Sequence, residues 1–161
     1  MIRSRSHAEV LSLFSEIGAI SFSDFINIDE PPDRIHPTVP ARHIAPAVYA
    51  WVEHPPSGEP TIIYIGKAGQ GIAIRHRQHL RGYFGRGRGS FYRTKMVEIL
   101  RTGSRIAIHA YYPPAVDVLG EMVPSQSVVE ETLLASIVPK PILNREAKMK
   151  PICPIGTTLQ E

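Results

Sequence analysis

The stretch YIGKAGQGIAIRHRQH, residues 64–79, runs from an apolar segment through three glycines into alternating arginines and histidines. Its start reads as the end of a buried strand, the glycines as a turn, and IAIRHRQHLRGY (72–83) as a helix preceded by Gly71. Working outward, AVYAWVEH (47–54) is rich in β-branched and aromatic residues and reads as a strand. PPSGEP (55–60) is a turn and TIIYI (61–65) a second strand, so the two predict an antiparallel hairpin.

Downstream, SFYRTKMVEILRTG (90–103) predicts a second helix, with Ser90 as N-cap and Gly103 as stop. RIAIHAYY (105–112) alternates as a third strand. A loop through PPAVDVLGEMVP leads to a helix over SVVEETLLASIV (127–138), ended by Pro139 and Pro141. PILN closes the core at Asn144. Upstream, Val10, Leu13, Phe14 and Ile17 stand at i, i+3, i+4, i+7, which predicts an amphipathic helix closed by Gly18. Residues 30–46 hold five prolines and read as a connector. The expected organisation is an N-terminal helical extension and connector (1–45), a core domain (46–145) and a C-terminal tail (146–161). The expected fold is α+β, a small three-stranded mixed or antiparallel sheet flanked by helices.

The chain of 161 residues suits one domain, and 43% apolar with 20% charged residues is a globular composition. Its apolar runs are short and interrupted, and two N-terminal arginines have no apolar segment behind them, so neither a membrane span nor a secretion signal is expected. The single cysteine, Cys153, forms no internal disulfide. The expected location is cytoplasmic. Net charge is +3, but Arg75 to Arg105 carries nine bases against Glu98 alone, interleaved with Tyr83, Phe84, Phe91 and Tyr92. That composition suits contact with a polyanion. Arg77, Arg81, Arg86, Arg88, Arg93 and Lys95 are the expected nucleic-acid contacts, concentrated between Gly82 and Arg105.

GKAGQG lacks the order of a phosphate-binding P-loop, and no dinucleotide fingerprint is present, so a nucleotide cofactor is not expected. On a helix from Ile72, Arg75 and His79 share a face, where a guanidinium can grip phosphate and an imidazole can exchange a proton. Taken singly, His79 reads as a surface base and Tyr49 and Tyr64 as packed strand residues. Ser127-x-x-Glu130 matches a capping box. Glu130 also heads a stripe with Leu133, Leu134 and Ile137, which turns it toward the sheet and calls for a charged or metal partner. Too few acids lie nearby for a two-metal centre, which leaves one divalent ion on one carboxylate.

AVY (47–49), YIG (64–66), Arg75, His79, Glu130 and PILN (141–144) occur in that order, and together they resemble the GIY-YIG nuclease superfamily over about residues 46–145. The sequence departs by AVY in place of GIY, by a longer gap between the tyrosines, and by one extra residue in GKAGQG. The resemblance implies a metal-dependent DNA endonuclease, restriction-type or structure-selective. In it Tyr49 is the general base or proton relay, Tyr64 orients the scissile phosphate, and Arg75 stabilises transition-state charge. His79 bonds Tyr49 or takes its proton, Glu130 holds one Mg²⁺ or other divalent ion such as Mn²⁺, and Asn144 supports the site. Lys67 is a further phosphate contact. Neighbouring Arg75, Lys67 and metal are expected to favour the Tyr49 phenolate. Double-stranded DNA is the expected partner and a homodimer the expected state for cutting both strands. A non-catalytic nucleic-acid-binding module on the same fold is the alternative.

Overall fold

The computed structural model describes residues 2–23, 34–84 and 88–147. In chain order the elements are α1 (His7–Leu11), β1 (Ser15–Phe22), β2 (Ile35–Thr38), β3 (Ala47–His54) and β4 (Thr61–Ala68). Then follow α2 (Ile72–Tyr83), α3 (Arg88–Arg101), β5 (Arg105–Tyr111), β6 (Val116–Val118), β7 (Glu121–Val123), α4 (Gln126–Ser136) and α5 (Ile142–Ala147). The fold is α+β, but the main sheet has five strands rather than three, in the order β2-β1-β5-β3-β4. Every pairing in it is antiparallel.

The two added strands come from the segment expected to be a helical extension. Val10 and Phe14 are buried as the apolar stripe requires, yet Leu13 is exposed and the helix stops at Leu11. Residues 15–22 instead pair along β5, with a register shift between Glu16 and Gly18. Gly18 lies inside a strand, not at a helix end. A Cβ there would stand 2.0 Å from the Thr38 carbonyl oxygen, so only glycine lets β1 and the end of β2 approach this closely. Pro37 sits in β2 at the margin of the sheet, where a missing N–H is tolerated. The stretch read as a loop after residue 112 forms a separate β6–β7 hairpin. Ser90 lies within α3 rather than capping it, and Gly103, at φ +83°, follows the helix closely. Of the expected tail, residues 148–161, Cys153 included, lie outside the described residues.

β3 lies inside the sheet between β5 and β4, and its residues 47–52 are all buried, because helices cover both faces. Tyr49 and Trp51 point to the side of α2 and α3, where Ile106, Ile108, Tyr83, Tyr92 and Met96 complete the core. Val48, Ala50 and Val52 point to the other side, against Val10, Leu133 and Ile137. Burying each large apolar side chain stabilises the fold by about 1.5–3 kcal/mol. α2 and α3 touch backbone to backbone, since a Cβ on Gly89 would come within 2.3 Å of the Gly82 carbonyl oxygen. No helix among the described residues is long and apolar enough to cross a membrane.

The free margin of β4 is dressed by side chains. Asn144 accepts from the Ile65 N–H at 2.7 Å and donates to the Ile65 carbonyl at 2.8 Å, copying the bonds of a neighbouring strand. The Ile62 N–H donates to His7 Nδ1 at 2.9 Å, and His7 Nε2 meets the Pro139 carbonyl at 2.8 Å. Asn144→Ala leaves the Ile65 groups without these partners. It should cost about 1–3 kcal/mol and lower the thermal midpoint by roughly 2–4 °C for each kcal/mol, as read by calorimetry. An unchanged midpoint would show that the margin is held by other contacts.

Candidate active site

Gly66 determines where the site can form. It faces Tyr49 across the β3–β4 ladder, and a Cβ on it would lie 2.8 Å from Tyr49 Oη and 2.7 Å from Tyr64 Cε1. The two tyrosines therefore use the space that a side chain at 66 would fill. Their rings pack at 5.8 Å between centroids, and Trp51 stacks on Tyr64 at 4.5 Å.

α2 lays a buried arc of Ile72, His76, His79 and Tyr83 over these rings. Tyr49 Oη and His79 Nε2 stand 2.6 Å apart. Burial first, then His76 and Arg75, pull the His79 imidazole down to about 3, so it is neutral and able to accept. His76 also lies in the cluster. Trp51 Nε1 donates to His76 Nε2 at 2.9 Å, which leaves His76 Nδ1 to donate to the Ile72 carbonyl at 3.0 Å. Burial holds His76 at about 4. The sequence placed His79 in the site but not His76, although spacing from Ile72 to Tyr83 marks both as inward.

The Tyr49 phenol differs from expectation. It is fully buried, and burial, followed by the neighbouring Tyr64, pushes its pKa well above the ordinary phenol value. Arg75 opposes that shift without reversing it, so the hydroxyl is protonated in this state. The Arg75 guanidinium is in electrostatic contact with both Tyr49 and Tyr64 and donates from Nη1 to Gln78 Oε1 at 3.3 Å. Its buried Nε has no hydrogen-bond partner.

Arg75 forms one wall of a cleft of about 320 Å³ whose other walls are Lys67, Gln78, the turn Gly69–Gly71, Gln126 and Ser127. Gly71 caps α2 at φ +91° with Ile44 pressed against it, a backbone shape reserved for glycine. Gln126 Oε1, like Arg75 Nε, is buried without a partner. The cleft thus keeps an unused donor and an unused acceptor.

Lys67 joins the cleft to α4. Its Nζ donates to Ser127 Oγ at 3.2 Å and stands 3.6 Å from Glu130 Oε2. Ser125 stands at the N-cap of α4 without a side-chain cap bond, and the carboxylate of Glu130 pairs with Lys67. Glu130 is 17% exposed and burial raises its pKa, with Lys67 opposing, whereas Glu131 is exposed. A divalent cation fits here in a minimal way, on one partly buried carboxylate with remaining positions for water and phosphate oxygens. Asn144 bonds the backbone of β4, so it positions Tyr64 and Gly66 and touches no reacting group.

Among the expected nucleic-acid contacts, Arg77, Arg81 and Arg88 are exposed. Arg93 lies 5.9 Å over the Phe84 ring, Lys95 pairs with Glu98 at 3.0 Å, and Arg86 lies outside the described residues. Sequence reading also passed over Tyr92 as a site residue. It is buried on α3 against the Tyr64 ring, and burial with the nearby Tyr64 pushes its phenol up to about 12. Comparison with known proteins yields no matching family model and no significant match to a curated protein or a solved structure.

Two outcomes follow from this geometry. Gly66→Ala should break the Tyr49–His79 bond and destabilise the chain by about 1–3 kcal/mol, seen as a lower midpoint in chemical denaturation. Unfolded, both histidines titrate near 6.5, so the unfolded chain takes up protons below that pH while the native site stays neutral. The stability they contribute is complete above about pH 6.5 and falls on acidification, by at most about 1.4 kcal/mol per pH unit for each imidazole. Denaturation midpoints between pH 6.5 and 5 should fall for the wild type and fall less steeply in a His76→Gln, His79→Gln variant, which keeps the lowered His43, His54 and His109.

Proposed function

We propose that the protein is a metal-dependent endonuclease that hydrolyses DNA phosphodiester bonds, restriction-type or structure-selective. The observation that carries this reading is the 2.6 Å contact of Tyr49 Oη with the neutral His79, placed beside Arg75 at a cleft with cationic walls. A phosphate in that cleft meets Lys67 and the Arg75 guanidinium, which stabilises the charge developing on it. As water attacks phosphorus, its proton passes to Tyr49 while the Tyr49 proton moves to His79. The bond to the leaving 3′ oxygen breaks. The raised pKa of the phenol supports this relay over a resident phenolate. Glu130 is the residue that would hold Mg²⁺ or Mn²⁺, whose charge neutralises the leaving oxygen when the ion is bound. Exposed Arg77, Arg81 and Arg88 suit the flanking duplex phosphates.

One observation favours a second reading, a nucleic-acid-binding module without cleavage: Tyr49 is wholly buried, so water reaches its hydroxyl only if the bound state opens the site.

Plasmid DNA incubated with the protein and Mg²⁺ separates the two. The nuclease reading expects cleavage that EDTA abolishes and that falls at least about 100-fold in Arg75→Ala and Tyr49→Phe. Glu130→Gln should still retard DNA on a gel while losing cleavage, and Glu131→Gln should retain both. Retardation by the wild type with no cut in Mg²⁺ or Mn²⁺ would establish the binding module instead.

A further inference from the structure

A second group of chemistry-bearing side chains stands away from the cleft. Glu16 on β1 lies directly opposite His109 on β5, and His54 ends β3 opposite Arg105 of the same strand. One ligand atom from each of Glu16, His54 and His109 can be chosen so that all lie within 4.8 Å of one another. The imidazoles stack 6.1 Å apart at 19°, and His109 Nε2 is 3.9 Å from Glu16 Oε2. Both ring nitrogens of His109 and Nε2 of His54 are buried and lack any hydrogen-bond partner. Buried polar atoms are ordinarily satisfied, so three orphaned nitrogens on two imidazoles beside one carboxylate need an account.

We propose that Glu16, His54 and His109 form a binding site for a single transition-metal ion of the zinc class, separate from the cleft and independent of the nuclease reading. Two imidazoles and a carboxylate are a donor set that suits Zn²⁺, whereas Mg²⁺ prefers all-oxygen coordination. Ligand atoms around tetrahedral zinc stand about 3.3 Å apart, given bonds of about 2.0–2.1 Å. The ligand atoms, within 4.8 Å of one another, need to close by at most about 1.5 Å to reach that spacing. Arg105 holds Glu16 through Nη1 on Oε1 and through Nη2 on Oε2 at 3.1 Å. A carboxylate oxygen has lone pairs for both a guanidinium and an ion, so Arg105 orients the ligand from behind, as outer partners of metal carboxylates do. Glu16 is 43% exposed, which gives the ion a way in and leaves a coordination position for water.

The position also states what the ion does. Tyr49 and His54 are five residues apart on β3, roughly 17 Å at the rise of a strand, and their side chains leave opposite faces of the sheet. The ion therefore fastens β1 to the β5–β3 centre and does not enter the cleft. Such a ligand stabilises the native chain by mass action.

Apo protein titrated with Zn²⁺ by calorimetry, and with Co²⁺ as an absorbing substitute, tests this. The expected result is one ion per chain, a visible Co²⁺ spectrum of low coordination number that Zn²⁺ displaces, and a thermal midpoint raised by several degrees with Zn²⁺ but not with Mg²⁺. Glu16→Gln and His109→Gln should each weaken binding at least 100-fold, while His36→Gln and Cys153→Ser bind as wild type. Glu16 is partly exposed, so its variant stays informative if the His109 variant folds poorly. Absence of stoichiometric Zn²⁺ binding by the wild type, or undiminished binding in Glu16→Gln, overturns the proposal.

Discussion

The site depends on one steric constraint: Tyr49 Oη occupies the volume that a side chain at position 66 would need. β3 is buried on both faces, so a phenol on it cannot swing outward to make room. The missing Cβ of Gly66 lets the hydroxyl lie flat against β4, where α2 can lower His79 onto it. Tyr64, Trp51 and Arg75 then fall into place around a ring whose position is already set. A glycine in the middle of a strand usually weakens it. Here the loss of strand stability is the condition for assembling the site.

Electrostatics beneath α2 follow from that packing. Two imidazoles and four phenols share one desolvated layer with the Arg75 guanidinium at its rim. Burial favours neutral imidazoles and phenols, which is why His76 and His79 are lowered while Tyr49, Tyr83 and Tyr92 are raised. The tautomer of His76 is set by Trp51 on one side and the Ile72 carbonyl on the other. The layer at rest is therefore made of neutral imidazole and phenol donors and acceptors next to a cationic cleft.

Much of the centre of the molecule was legible in the sequence. β3, the start of β4 and the whole of α2 follow from strong local patterns, and the spacing of Arg75 and His79 put both on one face of that helix, while their place beside Tyr49 came only from the family resemblance. The periphery was not. Val10 and Phe14 carry a true helical signal, yet residues 15–22 gain a ladder along β5 that no local pattern announces. Pro37 argued against a strand and is tolerated only because β2 lies at the margin. His76 and Tyr92 were overlooked for a different reason. A polar residue next to an arginine reads as solvated until the facing aromatic layer is known, and that layer is assembled from β3, β4 and α3 together. The Glu16–His54–His109 group likewise joins three strands, one of which was expected to be helix.

The side chains lying along β4 bear on how copies of this chain can associate. Sheets commonly join by laying one outer strand beside another, and an uncovered strand invites the same union with any unfolded neighbour. Asn144 and His7 already hold the outward groups of Ile65 and Ile62. At the opposite border Pro37 offers no N–H to a newcomer. Continuing the sheet from one copy to the next through β4 would require Asn144 to be expelled. Among the described residues, the outer strands of the sheet are thus guarded on both flanks against growth by strand addition.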